Sequence, residues 1–194
     1  MPYFEKIPGE QIYLSPIDSD DLERYVKWLS DIEITRWLGT VSNVVTLANE
    51  RAWIENTTKA TDQYHFGIVL REENRLLGGV SLMDGQLIDR SATLGIFIGE
   101  AEDRSKGYGA ETIRLLVDYC FRWLGLRNID LHVSSGNAQA IACYKKAGFQ
   151  EYGRRHGAVF AGGQWYDDIL MGTLAENRQN NACNSRRDMI NCSK

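Results

Sequence analysis

Two short stretches carry residue types able to do chemistry. The first, Glu102-Asp103-Arg104-Ser105-Lys106-Gly107-Tyr108-Gly109-Ala110, lies between an apolar run and the start of an amphipathic helical pattern. At such a junction consecutive backbone N–H groups point outward and the helix dipole favours negative charge, so the loop is suited to hold phosphate. Gly107 and Gly109 would let the backbone approach the phosphates closely. Two nucleotide-binding patterns fail here: G-x-x-x-x-G-K-[ST] is absent, and G-x-G-x-x-G lacks its third glycine. Taken alone, the loop could equally be a glycine-rich turn without a ligand. The second stretch, residues 137–149 (NAQAIACYKKAGF), puts Asn137 at a helix start and Tyr144 about two turns later, directly after a strand pattern ending at Val133.

Regular elements must hold both stretches, and hydrophobic periodicity supplies them. Residues 11–15 (QIYLS) alternate as a short strand closed by Pro16. Ser19 reads as an N-cap before an acidic first turn, and Leu22, Tyr25, Val26 and Leu29 recur at helical spacing, predicting a helix over 20–30. Further helices are predicted over 31–38 and 46–57, separated by Gly39 and the turn-prone VSN. The period then changes. Residues 65–70, 75–83 and 92–98 read as an antiparallel meander with turns at Glu73-Asn74 and Asp84-Gly85. A strong amphipathic helix over 109–124 presents Ile113, Leu116, Val117, Cys120 and Phe121 on one face. A strand over 129–133, a short helix over 137–147 ended by Gly148, and two strands over 153–160 and 165–174 around Ala161-Gly162-Gly163 complete the order. The expected fold class is a single α+β (mixed α/β) domain over residues 1–175. Residues 176–194 are polar and aperiodic, and are expected to form a flexible tail.

Composition agrees with one ordinary globular domain: 194 residues, 43% hydrophobic and 25% charged. A chain of this length can bury about 70% of its unfolded surface, so its core needs neither disulfides nor metal. Lysine plus arginine number 22 against 26 aspartate plus glutamate, a net charge of −4, which argues against a nucleic-acid binder. No run approaches the roughly 20 apolar residues of a membrane span, and the amino terminus MPYFEKIPGEQ lacks a leader pattern. A soluble, cytoplasmic protein is expected. Cys120, Cys143, Cys183 and Cys192 form no Cys-x-x-Cys pair and His65, His132 and His156 lie far from them, so no metal site is expected. Cys120 and Cys143 sit in helical apolar patterns as inert thiols, and the other two fall in the tail.

Together the two stretches resemble the GCN5-related N-acetyltransferase (GNAT) superfamily. Its R-x-x-G-x-G/A is met by Arg104-Ser105-Lys106-Gly107-Tyr108-Gly109, and its N-x-x-A-x-x-x-Y-x-K-x-G-F is met at every position of 137–149. The resemblance spans residues 11–174, and the ending Gly163-Gln164-Trp165-Tyr166-Asp167-Asp168-Ile169-Leu170 is similar to the RimJ/RimL-type branch, which acts on protein amino termini, polyamines and other small amines. It implies a mostly antiparallel twisted sheet of about seven strands flanked by helices, with acetyl-CoA as co-substrate. It implies that the backbone of Ile96, Phe97 and Ile98 pairs with the pantetheine arm. The amides of Arg104, Ser105, Lys106, Gly107, Tyr108, Gly109 and Ala110 would bind the pyrophosphate, and Asn137 would contact the pantetheine. Tyr144 would protonate the leaving thiolate. The plain alternatives are a helix cap for Asn137, a core ring for Tyr144 and a solvated side chain for Lys106.

Acetyl transfer needs a neutral amine, an oxyanion stabiliser and an acid for the departing thiol. The resemblance assigns the oxyanion donor to a strand amide near Ile98. It leaves the base open, because the glutamate many members carry early in the 92–98 strand is Thr93 here. Glu100, Glu102, His132 and Glu33 are candidates, as is water relayed from a backbone carbonyl. Deprotonating a lysine-like amine at pH 7 costs about 4.6 kcal/mol, an α-amine only about 1.1 kcal/mol, so a missing carboxylate favours a low-pKa acceptor. The expected activity is N-acetylation of a primary amine, either a protein amino terminus or a small polyamine or aminosugar. A non-catalytic acyl-CoA sensor is the rival from another class. The acceptor pocket is expected where the helices of 20–38 meet the hairpin of 153–170, with Trp28, Trp37, Trp53 and Trp165 as candidate walls. The expected partner is a small-molecule or peptide amine, with a homodimer an open option and no nucleic acid or membrane.

Overall fold

The computed structural model describes residues 3–59, 64–86 and 88–176. The expected tail beyond Glu176, with Cys183 and Cys192, lies outside the described residues. Among the described residues five helices flank one sheet of eight strands in the order β1-β2-β3-β4-β5-β6-β8-β7. The strands are β1 (Ile7–Pro8), β2 (Ile12–Pro16), β3 (Tyr64–Leu70), β4 (Arg75–Gln86), β5 (Ser91–Ile98), β6 (Asn128–Ser134), β7 (Gln150–Ala161) and β8 (Gln164–Leu174). The helices are α1 (Leu22–Leu29), α2 (Ile32–Leu38), α3 (Leu47–Thr57), α4 (Tyr108–Arg122) and α5 (Ala138–Lys146). All pairings are antiparallel except β5 with β6. The sheet has eight strands rather than about seven because the two-residue β1 pairs with β2, and two residues are too few to show a period.

Local chemistry explains most boundaries. Ser19 does not cap α1: Asp18 caps a 3₁₀ turn, Ser19–Asp21, its carboxylate accepting the Asp20 N–H at 3.0 Å, and that turn leads into α1, whose own N-cap residue Asp21 makes no side-chain cap bond. Asp31 caps α2 in the same way and Gly39 ends it at φ 71°. Thr46 and Asn49 form a reciprocal capping box on α3. Asp84-Gly85 does not end a strand: β4 continues to Gln86, with Asp84 at φ 53° and a register shift between Met83 and Gln86. A side chain tolerated at positive φ makes a bulge there instead of the expected turn. The expected tight turn between β7 and β8 is present, with Gly162 and Gly163 both at positive φ.

The two faces of the sheet carry separate cores. On one, Ile12, Leu14, Ile68, Leu94 and Leu131 pack with Ile113, Leu116, Val117 and Cys120 of α4 and with Tyr144 of α5. On the other, Tyr13, Val69, Leu76 and Phe97 pack with Tyr25 and Trp28 of α1 and Ile34 of α2. Tyr25, Trp28 and Phe97 meet edge to face, with centroids 5.9–6.4 Å apart. Glu111 of α4 accepts the backbone N–H groups of Glu10 and Gln11 at 2.6 and 3.0 Å, fixing that helix to the β1–β2 turn.

The end of β5 lies tight against α1, where a Cβ on Gly99 would fall inside the indole of Trp28. Gly99→Ala is therefore expected to overpack this core and destabilise the protein by about 1–3 kcal/mol, read as a lower Tm by calorimetry. A melting temperature equal to that of the parent would show that Trp28 moves aside freely.

Candidate active site

The parallel ladder between β5 and β6 is only three residues long: Ser91, Ala92 and Thr93 pair with Asn128, Ile129 and Asp130. Both strands continue, β5 against β4 to Ile98 and β6 against β8 to Ser134. Beyond Thr93 the facing edges of the two strands therefore lack a ladder partner among the described residues, and the sheet opens there. Ile96 and Ile98 turn toward the α4 core and Phe97 toward the α1 core, so the backbone edge of these three residues is what the opening exposes.

At the end of β5 the loop is fastened on three sides. Arg104 donates from Nε to the Ile98 carbonyl at 3.2 Å and from Nη2 to the Gly99 carbonyl at 2.8 Å. Its side chain thus ties the loop to the strand, a role that counting loop amides does not reveal. Asp103 is buried and takes a bidentate pair from Arg75 of β4 at 2.6 and 3.0 Å. Glu100 receives the indole N–H of Trp28 at 2.9 Å and the Lys27 ammonium at 2.8 Å. Ser105 at φ 63° and Gly107 at φ 96° then turn the chain into α4, whose first turn has no side-chain cap. Tyr108, Gly109 and Ala110 supply first-turn amides at the positive end of the helix dipole. A Cβ on Gly107 would meet nothing, so that glycine is required for its backbone angle rather than for space. Lys106 is exposed, with its ammonium 3.7 Å from Asp103.

The second stretch docks beside this loop, with Gln139 donating to the Ser105 hydroxyl at 2.8 Å. Asn137 caps α5 by accepting the Ala140 N–H at 3.1 Å. The helix ends in a Schellman motif: Phe149 N–H reaches the Tyr144 carbonyl at 3.0 Å, Gly148 N–H reaches that of Lys145 at 3.1 Å, and Gly148 sits at φ 92°. The apolar contact that accompanies such a motif is here Tyr144 against Phe149, 6.0 Å between centroids. The Gly-Phe ending thus fixes the Tyr144 ring. Burial pushes the Tyr144 phenol well above its ordinary value, so it stays an O–H donor at neutral pH.

Of the four tryptophans expected around an acceptor pocket, Trp37 alone bridges the helices and the hairpin. It meets Tyr166 of β8 at 5.8 Å, over Gly136, where a Cβ would lie 2.9 Å from Trp37 and 2.7 Å from Tyr166. Trp28 is core, Trp53 packs beside His65 on α3, and Trp165 is 68% exposed against Phe160 near the hairpin tip. A separate cleft of about 480 Å³ between the end of β2 and α3 involves neither the loop nor α5. Among the candidate bases, Glu33 pairs with Arg36 at 2.6 Å, Glu102 is exposed on a 3₁₀ turn, and His132 contacts Asp168. Asp168, buried in the sheet, had no distinguishing signal in the sequence beyond its place in the strand pattern.

A positive-φ loop running into an uncapped helix start, next to an opened sheet edge, suits a group-transfer enzyme whose donor has an anionic tail and an extended amide arm. A family model described as the acetyltransferase (GNAT) domain matches residues 11–150. The chain belongs to this family and is an N-acetyltransferase. It is 30% identical over 177 residues to the probable N-acetyltransferase YjcK of Bacillus subtilis (strain 168), covering 87% of this chain and 96% of that protein. It is 29% identical over 157 residues to the alpha/beta-tubulin-N-acetyltransferase 9 of Homo sapiens, covering 74% of each. Its fold is similar to that of spermidine N-acetyltransferase from Vibrio cholerae in complex with CoA and spermine, with a TM-score of 0.80, 24% identity, and coverage of 87% of this chain and 98% of that one. Among the described residues no group of side chains could hold a metal ion, and no helix is long and apolar enough to cross a membrane.

The Arg75 pair holds the Asp103 carboxyl below its ordinary range. A lowered folded-state pKa contributes stability that is present above the ordinary carboxylate value and lost as pH falls through the lowered one. Asp103→Asn is expected to cost about 1–2 kcal/mol at pH 7, and that difference should shrink below pH about 4. Urea denaturation of both proteins at the two pH values checks it, and a difference independent of pH would remove the ion pair from the account.

Proposed function

We propose that the protein transfers the acetyl group of acetyl-CoA to a primary amine of a small polyamine such as spermidine. The observation that carries the reading is the three-residue β5–β6 ladder, beyond which β5 runs on to Ile98 without a β6 partner and leads into the loop of 104–110. In this reading the freed backbone of Ile96, Phe97 and Ile98 pairs with the pantetheine amides as an added strand. The amides from Arg104 to Ala110 take the pyrophosphate, while Asn137 combines its cap with a pantetheine contact. The amine nitrogen attacks the thioester carbon, a C–N bond forms, and a backbone N–H near Ile98 stabilises the oxyanion. The C–S bond then breaks. The Tyr144 hydroxyl, held protonated by burial, donates to the sulfur as charge builds, and its proton passes to the leaving thiolate and is replaced from solvent.

The fold likeness to a spermidine N-acetyltransferase supports the polyamine acceptor. A protein amino terminus is the second reading, favoured by the match to a tubulin N-acetyltransferase. Incubation of the protein with acetyl-CoA and either spermidine or an amino-terminal peptide, read by free thiol and product mass, separates the two. Acetylated spermidine is expected. Acetylation of the peptide alone selects the second reading, and acetyl-CoA binding with no product makes the protein a sensor. Tyr144→Phe keeps the ring and removes the donor; it is expected to lower kcat by about tenfold or more with acetyl-CoA affinity within about threefold. An unchanged kcat with chemistry rate-limiting would make Tyr144 a structural residue.

A further inference from the structure

The register across the opening decides which side chains face the incoming amine. Thr93 pairs with Asp130, so Thr93, Gly95 and Phe97 of β5 share a sheet face with Asp130, His132 and Ser134 of β6. Phe97 packs against Trp28 and Tyr25, which makes this the face covered by α1 and α2. The alternate β6 residues Ile129, Leu131 and Val133 face the other core, the one containing Tyr144. His132 stands two residues past the last ladder pair, in the parted stretch. The β5 residue at the same level, Gly95, has no side chain to fill the space between them.

His132 is also oriented. Its Nδ1 lies 3.1 Å from Oδ2 of Asp168, a carboxylate 3% exposed that is further held by Nε of Arg155 at 3.0 Å and by Arg155 Nη2. An Nδ1–H donating to this buried carboxylate leaves the lone pair on Nε2, which has no partner among the described residues. The imidazole side chain is 51% exposed, so that lone pair is within reach of a ligand. The carboxylates that could compete are engaged or remote. Glu100 is tied to Lys27 and Trp28, Glu33 to Arg36, and Asp130 to Asn128 at 2.5 Å. The groups facing His132 are Asp168, Tyr166, Arg155, Tyr152 and Asp130, and β5 adds none that titrates.

We propose that His132, positioned by Asp168, accepts the proton that the attacking amine loses. The inference rests on the acetyl-transfer reading above. As the C–N bond forms, the N–H electron pair returns to nitrogen, the proton passes to Nε2, and the imidazolium releases it to solvent. The amine comes from the α1/α2 face and the sulfur leaves beside Tyr144 on the other, so acid and base act from opposite sides of one opening. Asp168 acts through His132, as a positioning residue.

The test is kcat/KM for spermidine against pH in the intact protein and in His132→Gln. The variant is expected to lose about a hundredfold at pH 7 while binding acetyl-CoA within about threefold. Its deficit should shrink as pH rises toward about 10, where solvent deprotonates the amine. In His132→Ala, added imidazole should restore part of the rate, which a purely structural histidine would not allow. Activity of His132→Gln equal to the parent, or a deficit constant with pH and deaf to imidazole, overturns the proposal while acetyl transfer stands. If the intact protein acetylates neither spermidine nor amino-terminal peptides, the acetyl-transfer reading itself falls and this inference with it.

Discussion

The parallel ladder between β5 and β6 stops after Thr93 and Asp130, and everything at the site is arranged around that stop. Each strand has its own antiparallel neighbour, so each keeps one satisfied edge while the other is released. Backbone N–H and C=O groups seek partners, and an edge freed inside a sheet is a place for an extended chain of amides. The loop that follows β5 starts at the end of this freed edge. The clasps of Arg104 on Ile98 and Gly99, and of Arg75 on Asp103, set it there.

The opening lies between two cores on opposite faces of the sheet. α5 is locked by its Schellman ending and carries Tyr144 on one face, while β6 and β8 present His132 and Asp168 on the other. The turn joining β6 to α5 is held by paired bonds between Ser135 and Asp167, with Trp37 and Tyr166 closed over Gly136. A single short connection therefore positions residues on both faces, and a shift in it would disturb both.

The backbone of the loop at 104–110 and of the run 137–149 was legible in the sequence because it is set locally: positive-φ glycine, a helix cap and a helix stop depend on neighbours within a few residues. Other features depend on register and were not. Asp168 lies 36 residues from His132, and only the β6–β8 pairing makes them neighbours. Tryptophan counting could not tell Trp37, which meets Tyr166 of the hairpin, from Trp28, whose ring is core and whose N–H goes to Glu100. The Asp84-Gly85 pair has the composition of a turn and forms a bulge, since the strand pairing on both sides outlasts it.

Among the described residues β7 forms the longest edge of the sheet without a second ladder partner, a row of backbone groups able to recruit another strand. Its middle is interrupted. The register with β8 slips between Arg155 and Val159, Gly157 turns to φ 57°, and its N–H is taken by Asp167. Arg154, Arg155 and His156 place charge at the same spot, anchored to Asp167 and Asp168. A neighbouring molecule offering a straight strand would find neither a continuous ladder nor an uncharged one. The same residues that order the polar side of the opening thereby guard the protein against edge-to-edge aggregation.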